Sequence, residues 1–374
     1  MRRIALTAVC LMGCLRSRTE PCPGQDFTCP ADLVCAAPGY CGPRAQVEEC
    51  EGLEEWSPCI YDDAPETPGS CHHGICEACT SDREGCATSS NWLPMSLPAD
   101  SDLNNIWVRA RADVYAVGNF GVLLHYDGTA WSNVITSPPI PMGIDLKSIW
   151  GSDANDYYIV TSDAAEKNLL HVKDGALSFE GMASSLQGIW GTAANNVYGV
   201  GLGGVIVHFN GTSWEPMSSG TNQTLFAVSG ADAARVIAIS TSGAFTLFDG
   251  TSWKSGSIGT ALILHGLWVG TRDAYVAGEG RTLLRFDGTS WTPAAIDLSI
   301  PSNIVFFAVW SSGAEYFAVG NQGTIATSTD GMSWAAVTPQ PGNNELHAVA
   351  GSGADDVFAV GANGAIWHRT THLR

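Results

Sequence analysis

Apolar and polar positions alternate in short runs that repeat about every forty residues through the last three quarters of the chain. An apolar dipeptide such as Ile189-Trp190 opens each repeat, and its seven copies are separated by 43, 40, 39, 39, 42 and 40 residues. Residues 91–374 therefore contain seven copies of one structural unit. The copies of the opening dipeptide are Ile106-Trp107, Ile149-Trp150, Ile189-Trp190, Val228-Ser229, Leu267-Trp268, Val309-Trp310 and Val349-Ala350.

Each repeat has the pattern of four short strands. In the third repeat, "LQGIWG" from Leu186 is apolar at both parities, which predicts a strand buried on both faces. "VYGVG" at 197–201 and "VIVHF" at 205–209 are the next two strands, separated by Gly-rich or Asx-rich turns. Four short strands every forty residues predict an all-β, seven-bladed β-propeller with four-stranded blades.

The hexapeptide "FDGTSW" occurs at Phe248 and Phe286, with the variants "FNGTSW" at Phe209 and "YDGTAW" at Tyr126. Asp-Gly and Asn-Gly favour a tight turn, here between the third and fourth strands, and the Trp is expected to pack on the neighbouring blade. The alternative is that the Asp is a catalytic residue or a metal ligand. One copy per blade about the rim could not converge on a single substrate, so a structural role is expected.

The seventh repeat ends before a fourth strand can form. The segment "NWLPMSLP" at 91–98 resembles "SWEPMSSG" at 213–220, which is the fourth strand of the third repeat. We therefore expect the N-terminal segment to complete the last blade. This closure would cover two edges that could otherwise pair with other chains.

One face of the predicted propeller carries the loops of variable length. These loops join second to third strands and one blade to the next, and function on a rigid scaffold concentrates in such loops. Neutral loop variation is the alternative interpretation. The binding-face candidates are Asp145, Asp163, Glu166, Lys167, Asp297, Asn303 and Asn343.

Charge and cysteine content narrow the class of protein. With 37 acidic and 18 basic residues, the net charge is −19, which argues against nucleic acid as a partner. All 12 cysteines precede residue 87. Such a density is typical of a small exported module that is stabilised by disulfides.

The N-terminus has the features of an export signal. Residues 1–13 combine a basic start with an apolar run too short to span a bilayer as a helix. The run ends in "LMGC", which resembles the bacterial lipobox. This resemblance implies that Cys14 is lipidated and that the chain is anchored through this lipid alone. Since Leu15 rather than Asp follows, it also implies the outer membrane of a Gram-negative bacterium, on the periplasmic or the surface side. An ordinary secretory signal is the alternative.

Residues 14–90 are predicted to form a cysteine-rich disulfide module, because they show few aliphatic residues and no sustained periodicity. "CHHGICEAC" at 71–79 could instead hold zinc, but an oxidising compartment favours disulfides, so no metal site is expected. The pairing of these cysteines is not defined by their spacing. The disulfide candidates are Cys22, Cys29, Cys35, Cys41, Cys50, Cys59, Cys71, Cys76, Cys79 and Cys86.

Residues 91–374 resemble propeller proteins of the myxobacterial lipoprotein type. They are more distantly similar to Asp-box propellers, such as sialidases, and to photosystem-assembly propellers. "STDGMSW" at 328–334 is similar to an Asp box but lacks one residue between Asp330 and Gly331. The arginines also show no arrangement of the sialidase kind, so no catalytic residue is assigned.

Two further sets of polar residues recur at equivalent positions of the repeats. His125, His208 and His368 lie in third strands, and we expect them to face solvent. A second set precedes the second strands, where turn formation and strand capping are the expected roles. Its members are Asp113, Asp156, Asn196, Asp273, Glu315 and Asp356.

The sequence thus predicts a non-catalytic, lipid-anchored protein of the cell envelope. It would be a monomer without a cofactor and would use a propeller face to bind an unidentified protein or glycan. A polysaccharide hydrolase is the first alternative, with Asp145, Asp163, Glu166 and Asp297 as available carboxylates. The second alternative is a propeller that serves as a spacer and presents the cysteine-rich module.

Overall fold

A computed structural model describes residues 92–95, 101–163, 168–180, 185–338 and 342–370, and the backbone of short stretches between residues 20 and 78. The chain divides into two compact units. The first unit comprises Met1–Ser89 with His372–Arg374, and the second comprises Ser90–Thr371. Cys14, the side chains of the ten disulfide candidates, Glu166 and Lys167 lie outside the described residues.

The first unit contains short antiparallel strand pairs. Strand β1 pairs with β2, β3 with β4, and β6 lies between β5 and β7. In backbone register, Cys35 lies opposite Cys41 and Cys71 lies opposite Cys76. The bounds of these strands are β1 (Glu20–Pro21), β2 (Thr28–Cys29), β3 (Leu33–Cys35), β4 (Cys41–Pro43), β5 (Pro58–Ile60), β6 (Pro68–His72) and β7 (Ile75–Ala78).

The second unit is a seven-bladed β-propeller of four-stranded antiparallel blades, which confirms the fold predicted from the repeats. Strand β8 (Trp92–Pro94) precedes the first blade in the chain. Single 3₁₀ turns connect second and third strands in four blades. No helix long and apolar enough to cross a membrane occurs among the described residues.

Each blade runs from an innermost strand beside the central channel to an outermost strand at the rim. Blades one to five are β9–β12, β13–β16, β17–β20, β21–β24 and β25–β28, and blades six and seven contain β30–β33 and β34–β36. The strands are β9 (Leu103–Ala110), β10 (Asp113–Gly118), β11 (Leu123–Tyr126), β12 (Trp131–Asn133), β13 (Leu146–Asp153), β14 (Asp156–Thr161), β15 (Leu169–Lys173), β16 (Ala176–Glu180), β17 (Leu186–Ala193), β18 (Asn196–Gly201), β19 (Ile206–Phe209), β20 (Trp214–Met217), β21 (Leu225–Asp232), β22 (Arg235–Ser240), β23 (Ala244–Phe248), β24 (Trp253–Ser257), β25 (Leu264–Val269), β26 (Ala274–Gly278), β27 (Thr282–Phe286), β28 (Trp291–Pro293), β29 (Ala295–Ile296), β30 (Phe306–Ser311), β31 (Tyr316–Gly320), β32 (Ile325–Ser328), β33 (Ser333–Ala336), β34 (Leu346–Gly353), β35 (Asp356–Gly361) and β36 (Ile366–Thr370).

The N-terminal strand closes the ring, as the sequence predicts. β8 pairs antiparallel with β36 and becomes the outermost strand of blade seven, with Trp92 opposite Arg369. The indole nitrogen of Trp131 in blade one lies 3.4 Å from the sulfur of Met95. Trp253 and Met217 repeat this contact at 3.5 Å between blades three and four. The sequence likeness between the two segments therefore reflects equivalent positions in two blades.

The "FDGTSW" hexapeptides form the predicted turns between third and fourth strands. Gly250 in the first position after Asp249 has a φ of 92°, which favours glycine. One carboxylate oxygen of Asp249 accepts hydrogen bonds from the backbone N–H groups of Thr251 and Ser252. The Trp253 ring meets Tyr198 of the preceding blade edge to face, with 5.9 Å between ring centroids. Both parts of the structural interpretation are confirmed.

Hydrophobic contacts between neighbouring blades form the core. The buried clusters each combine residues of two adjacent blades, such as Leu103 of blade one with Phe358 of blade seven. Tyr275 of blade five and Phe306 of blade six share another cluster, and both side chains are fully buried. Because every blade supplies one wall of two such clusters, a blade cannot bury its apolar faces alone.

Four of the five tryptophans of the innermost strands pack against a glycine of the next blade. A Cβ atom on Gly151 would lie 2.5 Å from the ring of Trp107, and one on Gly191 would lie 2.8 Å from the ring of Trp150. No real Cβ contact is that short, so the glycines make room for the indoles. The contacting pairs are Trp107 with Gly151, Trp150 with Gly191, Trp190 with Gly230, and Trp310 with Gly351.

Blades that follow a small residue carry a larger side chain at the glycine position. Blade four has Ser229 where five other blades have Trp, and blade five then has Val269. Blade seven has Ala350, and blade one then has Val108. At these interfaces a small side chain on one blade thus faces a larger one on the next, which keeps packing dense around the ring.

Candidate functional site

A β-bulge lies at the second residue of the innermost strand in every blade. In blade three, Leu186 pairs with Gly201 and Gly188 pairs with Val200, so Gln187 has no opposite residue. Such bulges re-aim one side chain, and all seven of these residues line the central channel. We call them the mouth ring: Asn104, Lys147, Gln187, Phe226, His265, Phe307 and His347.

The mouth ring lies at one end of a channel with a volume of about 590 Å³. It belongs to the face that carries the variable loops, because innermost strands begin where second strands end. A direct contact joins the two features: the Asn104 side-chain amide donates a 2.8 Å hydrogen bond to the side chain of Asn119, in the loop after β10. The variable-loop face and the channel mouth are therefore one surface.

One arc of the mouth ring is polar and spans blades one to three. The Lys147 ammonium donates a hydrogen bond of 3.2 Å to the amide oxygen of Gln187. The Asn104 amide also donates to the backbone carbonyl of Leu146, at 2.9 Å. These bonds hold the three side chains at the blade interfaces.

The other arc is aromatic and spans blades four to seven. The rings of His265 and Phe307 meet edge to face with centroids 5.3 Å apart, and those of Phe307 and His347 follow at 5.8 Å. Nδ1–H of His347 donates to the carbonyl of Leu103, at 2.9 Å. Burial lowers the pKa of His265 although Glu279 opposes this shift, so the His265 imidazole is neutral at pH 7.

Deeper in the channel, five tryptophans line the wall. They lie three residues along each strand from the mouth ring, or about 10 Å further in at the usual rise of a strand. Ser229 and Ala350 take the equivalent positions in the other two blades. The five tryptophans are Trp107, Trp150, Trp190, Trp268 and Trp310.

The charge of the channel is opposite to that of the chain. Among the described residues that line it, Lys147 is the one with a permanent charge, and no aspartate or glutamate is present. The whole chain carries −19. Glu345 lies beside the mouth ring, with its carboxylate 3.8 Å from Nε2 of His347. Among the described residues, the channel lining itself carries only the permanent positive charge of Lys147.

Two predicted binding-face residues have structural roles. Asp145 lies before β13, and its carboxylate accepts a 3.1 Å hydrogen bond from the backbone N–H of Phe120 in the preceding blade. Asp102 and Asn363 repeat this bond between blades seven and one, at 2.8 Å. Asp297 accepts a bond from the backbone N–H of Ser299, which together with the Ser299 side chain lowers the pKa of Asp297.

The other described candidates lie around the rim of the same face. Asp163 follows β14, and its backbone N–H donates to the hydroxyl of Thr161. Asn303 precedes β30 and Asn343 precedes β34, and both are exposed. None of the five described candidates lines the channel. The structure brings them to one face but not into one cleft.

The recurrent histidines do not face solvent, which corrects the expectation from the sequence. His368 is 12% exposed, its Nε2 lies 2.7 Å from the Asp356 carboxylate, and its ring stacks on Phe358 with centroids 4.0 Å apart. His125 pairs with Asp113 in the same way, at 2.9 Å. The acidic residues before the second strands therefore bind third-strand side chains, a role that turn formation did not predict.

These histidines differ in charge because their partners differ. Burial opposes protonation of His171, but the hydrogen bonds that its ring donates to the Glu180 and Asp156 carboxylates outweigh burial and raise the pKa of His171. His208 faces the neutral Asn196 at 2.6 Å, and burial lowers the pKa of His208. Within the described residues, no group of three or more His, Cys, Asp or Glu side chains could hold a metal ion.

Comparison with known proteins gives the fold and no closer relationship. No family model and no curated protein matches the chain. A structure of YCF48 bound to a D1 peptide is 16% identical, with a TM-score of 0.62 over 75% of this chain and 95% of that chain. Virginiamycin B lyase from Staphylococcus aureus is 11% identical, with a TM-score of 0.63 over 74% of this chain and 98% of that chain. At these identities the shared property is the propeller architecture.

Proposed function

We propose that the protein is a non-catalytic, lipid-anchored recognition protein of the cell envelope. It would bind another protein or a glycan on the face that carries the variable loops and the mouth ring. The observation that carries this proposal is the mouth ring itself. Seven equivalent bulges present seven positions with five different side chains on a backbone that hardly varies, and such variation on a rigid frame is typical of recognition surfaces.

The positions of Asp145 and Asp297 on this face favour recognition over glycan hydrolysis by these two carboxylates. A glycosidase of the usual kind needs two carboxyl groups facing each other about 5–9.5 Å apart. Asp145 accepts a backbone hydrogen bond between blades one and two, and Asp297 does so between blades five and six. Three blades separate them, and the channel lining between them contains no carboxylate.

The similar structures are consistent with binding but include enzymes. YCF48 with its D1 peptide is a precedent for peptide recognition by this architecture. Virginiamycin B lyase is a precedent for catalysis on it. At such low identity neither activity transfers by descent, so the proposal depends on the residues of the mouth ring.

The full-length chain can be tested on peptide and glycan arrays with two matched variants. Asn343→Arg places a large cation on the variable-loop face, and Ala233→Arg places it in an exposed turn on the opposite face. We expect Asn343→Arg to weaken binding at least about tenfold, equivalent to about 1.4 kcal/mol, while Ala233→Arg leaves it unchanged.

Other results would reject the proposal. Turnover of a glycan or peptidoglycan substrate would make the protein an enzyme. A partner that is retained by both variants but lost on reduction of the disulfides would instead support the cysteine-rich module as the active part.

A further inference from the structure

Lys147 is an unbalanced cation inside the channel. Its ammonium has one hydrogen-bond partner among the described residues, the neutral amide oxygen of Gln187 at 3.2 Å. Two other half-buried cations of the propeller are paired with carboxylates, Arg369 with Glu315 at 2.7 Å and Arg285 with Asp273 at 3.2 Å. Arg235 and Arg281 donate to backbone carbonyls instead, but neither lines the channel. Since an ammonium has three donors, two of those on Lys147 remain for a ligand.

Gln187 offers further donors beside this cation. Its amide oxygen is taken by Lys147, so its NH₂ group points away from the ammonium and donates to no described residue. An ammonium and an amide NH₂ on adjacent blades can together hold the two oxygens of one carboxylate. Charge-assisted bonds of this kind are strong in a channel mouth that excludes part of the solvent.

The facing arc is suited to the apolar part of such a ligand. This arc contains Phe226, His265, Phe307 and His347. Ring contacts run from His265 through Phe307 to His347, and the tryptophans extend the aromatic lining inward. A channel of about 590 Å³ lies within the usual range for small-ligand sites, which is about 300–1,000 Å³. Burial lowers the pKa of His265, so this imidazole adds no second cation beside Lys147 at pH 7.

We propose that the channel binds a monocarboxylate with an aromatic or aliphatic body, with the carboxylate on Lys147 and Gln187 and the body against the aromatic arc. The inference rests on the proposed function in that it treats the mouth ring as a recognition site. The same chemistry occurs in a free small acid and in the C-terminal residue of a peptide, and the test separates these two sources.

Three probes with one body and different charges test the site on the full-length protein. Titration calorimetry compares 3-phenylpropionate, the neutral 3-phenylpropionamide and the cationic phenethylamine. We expect the acid to bind at least about tenfold more tightly than the amide, as the loss of a charge-assisted bond implies, and the amine to bind most weakly. Equal binding of the three probes, or tighter binding of the amine, would overturn the inference.

Variants locate the binding. Lys147→Met and Lys147→Gln should each reduce the acid to the affinity of the amide, whereas Phe226→Ala should weaken acid and amide by the same factor. Lys173→Met is the matched control, because Lys173 lies at the outside of the same blade and pairs with Asp156. Unchanged acid binding in both Lys147 variants would exclude the site.

Peptides separate the two sources of the carboxylate. A peptide ending in Phe with a free C-terminus that binds more tightly than 3-phenylpropionate, while its C-terminal amide does not bind, identifies a chain end as the ligand. If the small acid binds and both peptides fail, the ligand is a free acid. Failure of all acids with intact array binding would overturn this inference alone, and acid binding without any array partner would overturn the proposed function alone.

Discussion

The packing of Trp190 against Gly230 can be tested by measuring the free energy of unfolding of variants at both positions. A Cβ atom on Gly230 would overlap Cη2 and Cζ3 of the Trp190 ring, with 2.6 Å to Cζ3, and would lie 2.9 Å from the backbone oxygen of Arg235. Overpacking of this kind costs about 1–3 kcal/mol, so we expect Gly230→Ala to lower the free energy of unfolding by about 2 kcal/mol.

The compensating change is Trp190→Ser, which copies Ser229 of the next blade. Loss of a fully buried Trp costs about 3–5 kcal/mol, and because Trp190 is partly exposed in the channel we expect about 2 kcal/mol. The double variant should be about 1 kcal/mol more stable than the sum of the single losses implies. Compensation is partial because removal of the ring leaves the contact with the Arg235 oxygen in place.

Denaturant unfolding followed by far-UV circular dichroism measures the four proteins of this cycle without depending on tryptophan fluorescence. Trp150→Ser combined with Gly230→Ala is the control pair, since Trp150 contacts Gly191 rather than Gly230. The control pair should be additive. If the stability losses at Trp190 and Gly230 were additive as well, the packing of a large side chain against a glycine of the next blade would be refuted as the cause.

Three further predictions concern the histidines and the closing strand. Asn196→Asp should raise the pKa of His208 by about one unit, as a carboxylate does beside an imidazole, and NMR titration of the ring protons would reveal an unchanged value if the neutral partner is not the cause. His171 has a pKa above the ordinary 6.5, so its contribution to stability is full below that value and is lost as the pH rises through the raised pKa. The free energy of unfolding should therefore fall less in His171→Gln than in the wild type from about pH 6 to about pH 9, and equal losses would contradict this. Trp92 is 3% exposed and meets Phe317 of blade six edge to face, so Trp92→Ala should cost about 3 kcal/mol and promote self-association measured by light scattering, whereas a similar loss in the exposed Pro94→Ala would not fit.

Most of the fold could be predicted from the sequence because the same strand pattern occurs in every repeat. Turn residues such as Asp249 and Gly250 act locally, so their meaning is the same in every blade and can be recognised from one chain. The closing strand could be recognised for a related reason. Met95 and Met217 make equivalent contacts, and similar contacts had selected similar residues in two distant segments.

The mouth ring was missed because a bulge leaves no mark in composition. One extra residue in a strand changes which side chains face inward, and period-two reasoning does not predict where this happens. A signal does exist in the aligned repeats. The position after the apolar residue that begins the strand, as at Leu186, varies among Asn, Lys, Gln, Phe and His. The residue before it is Leu in six repeats and Phe in the other, and the residue after it is small in every repeat except the first.

The histidines were misread because their partners come from another strand. His368 and Asp356 are twelve residues apart, and only the register of β35 and β36 brings them together. From sequence spacing alone, the histidine was expected to face solvent and the aspartate to form a turn or cap a strand. Contacts between strands depend on how the strands pair, and the β-propensity of single residues does not determine this pairing.

The closing strand also sets the order in which the molecule can be completed. β8 precedes every blade in the chain, yet its partner β36 follows all the other strands of the propeller. Until β36 has been synthesised, the early strand and the growing row of blades keep open edges and apolar surface. The propeller can therefore reach its final form only after the last of its strands has been synthesised, and a chain that stops short of that strand remains an unclosed arc.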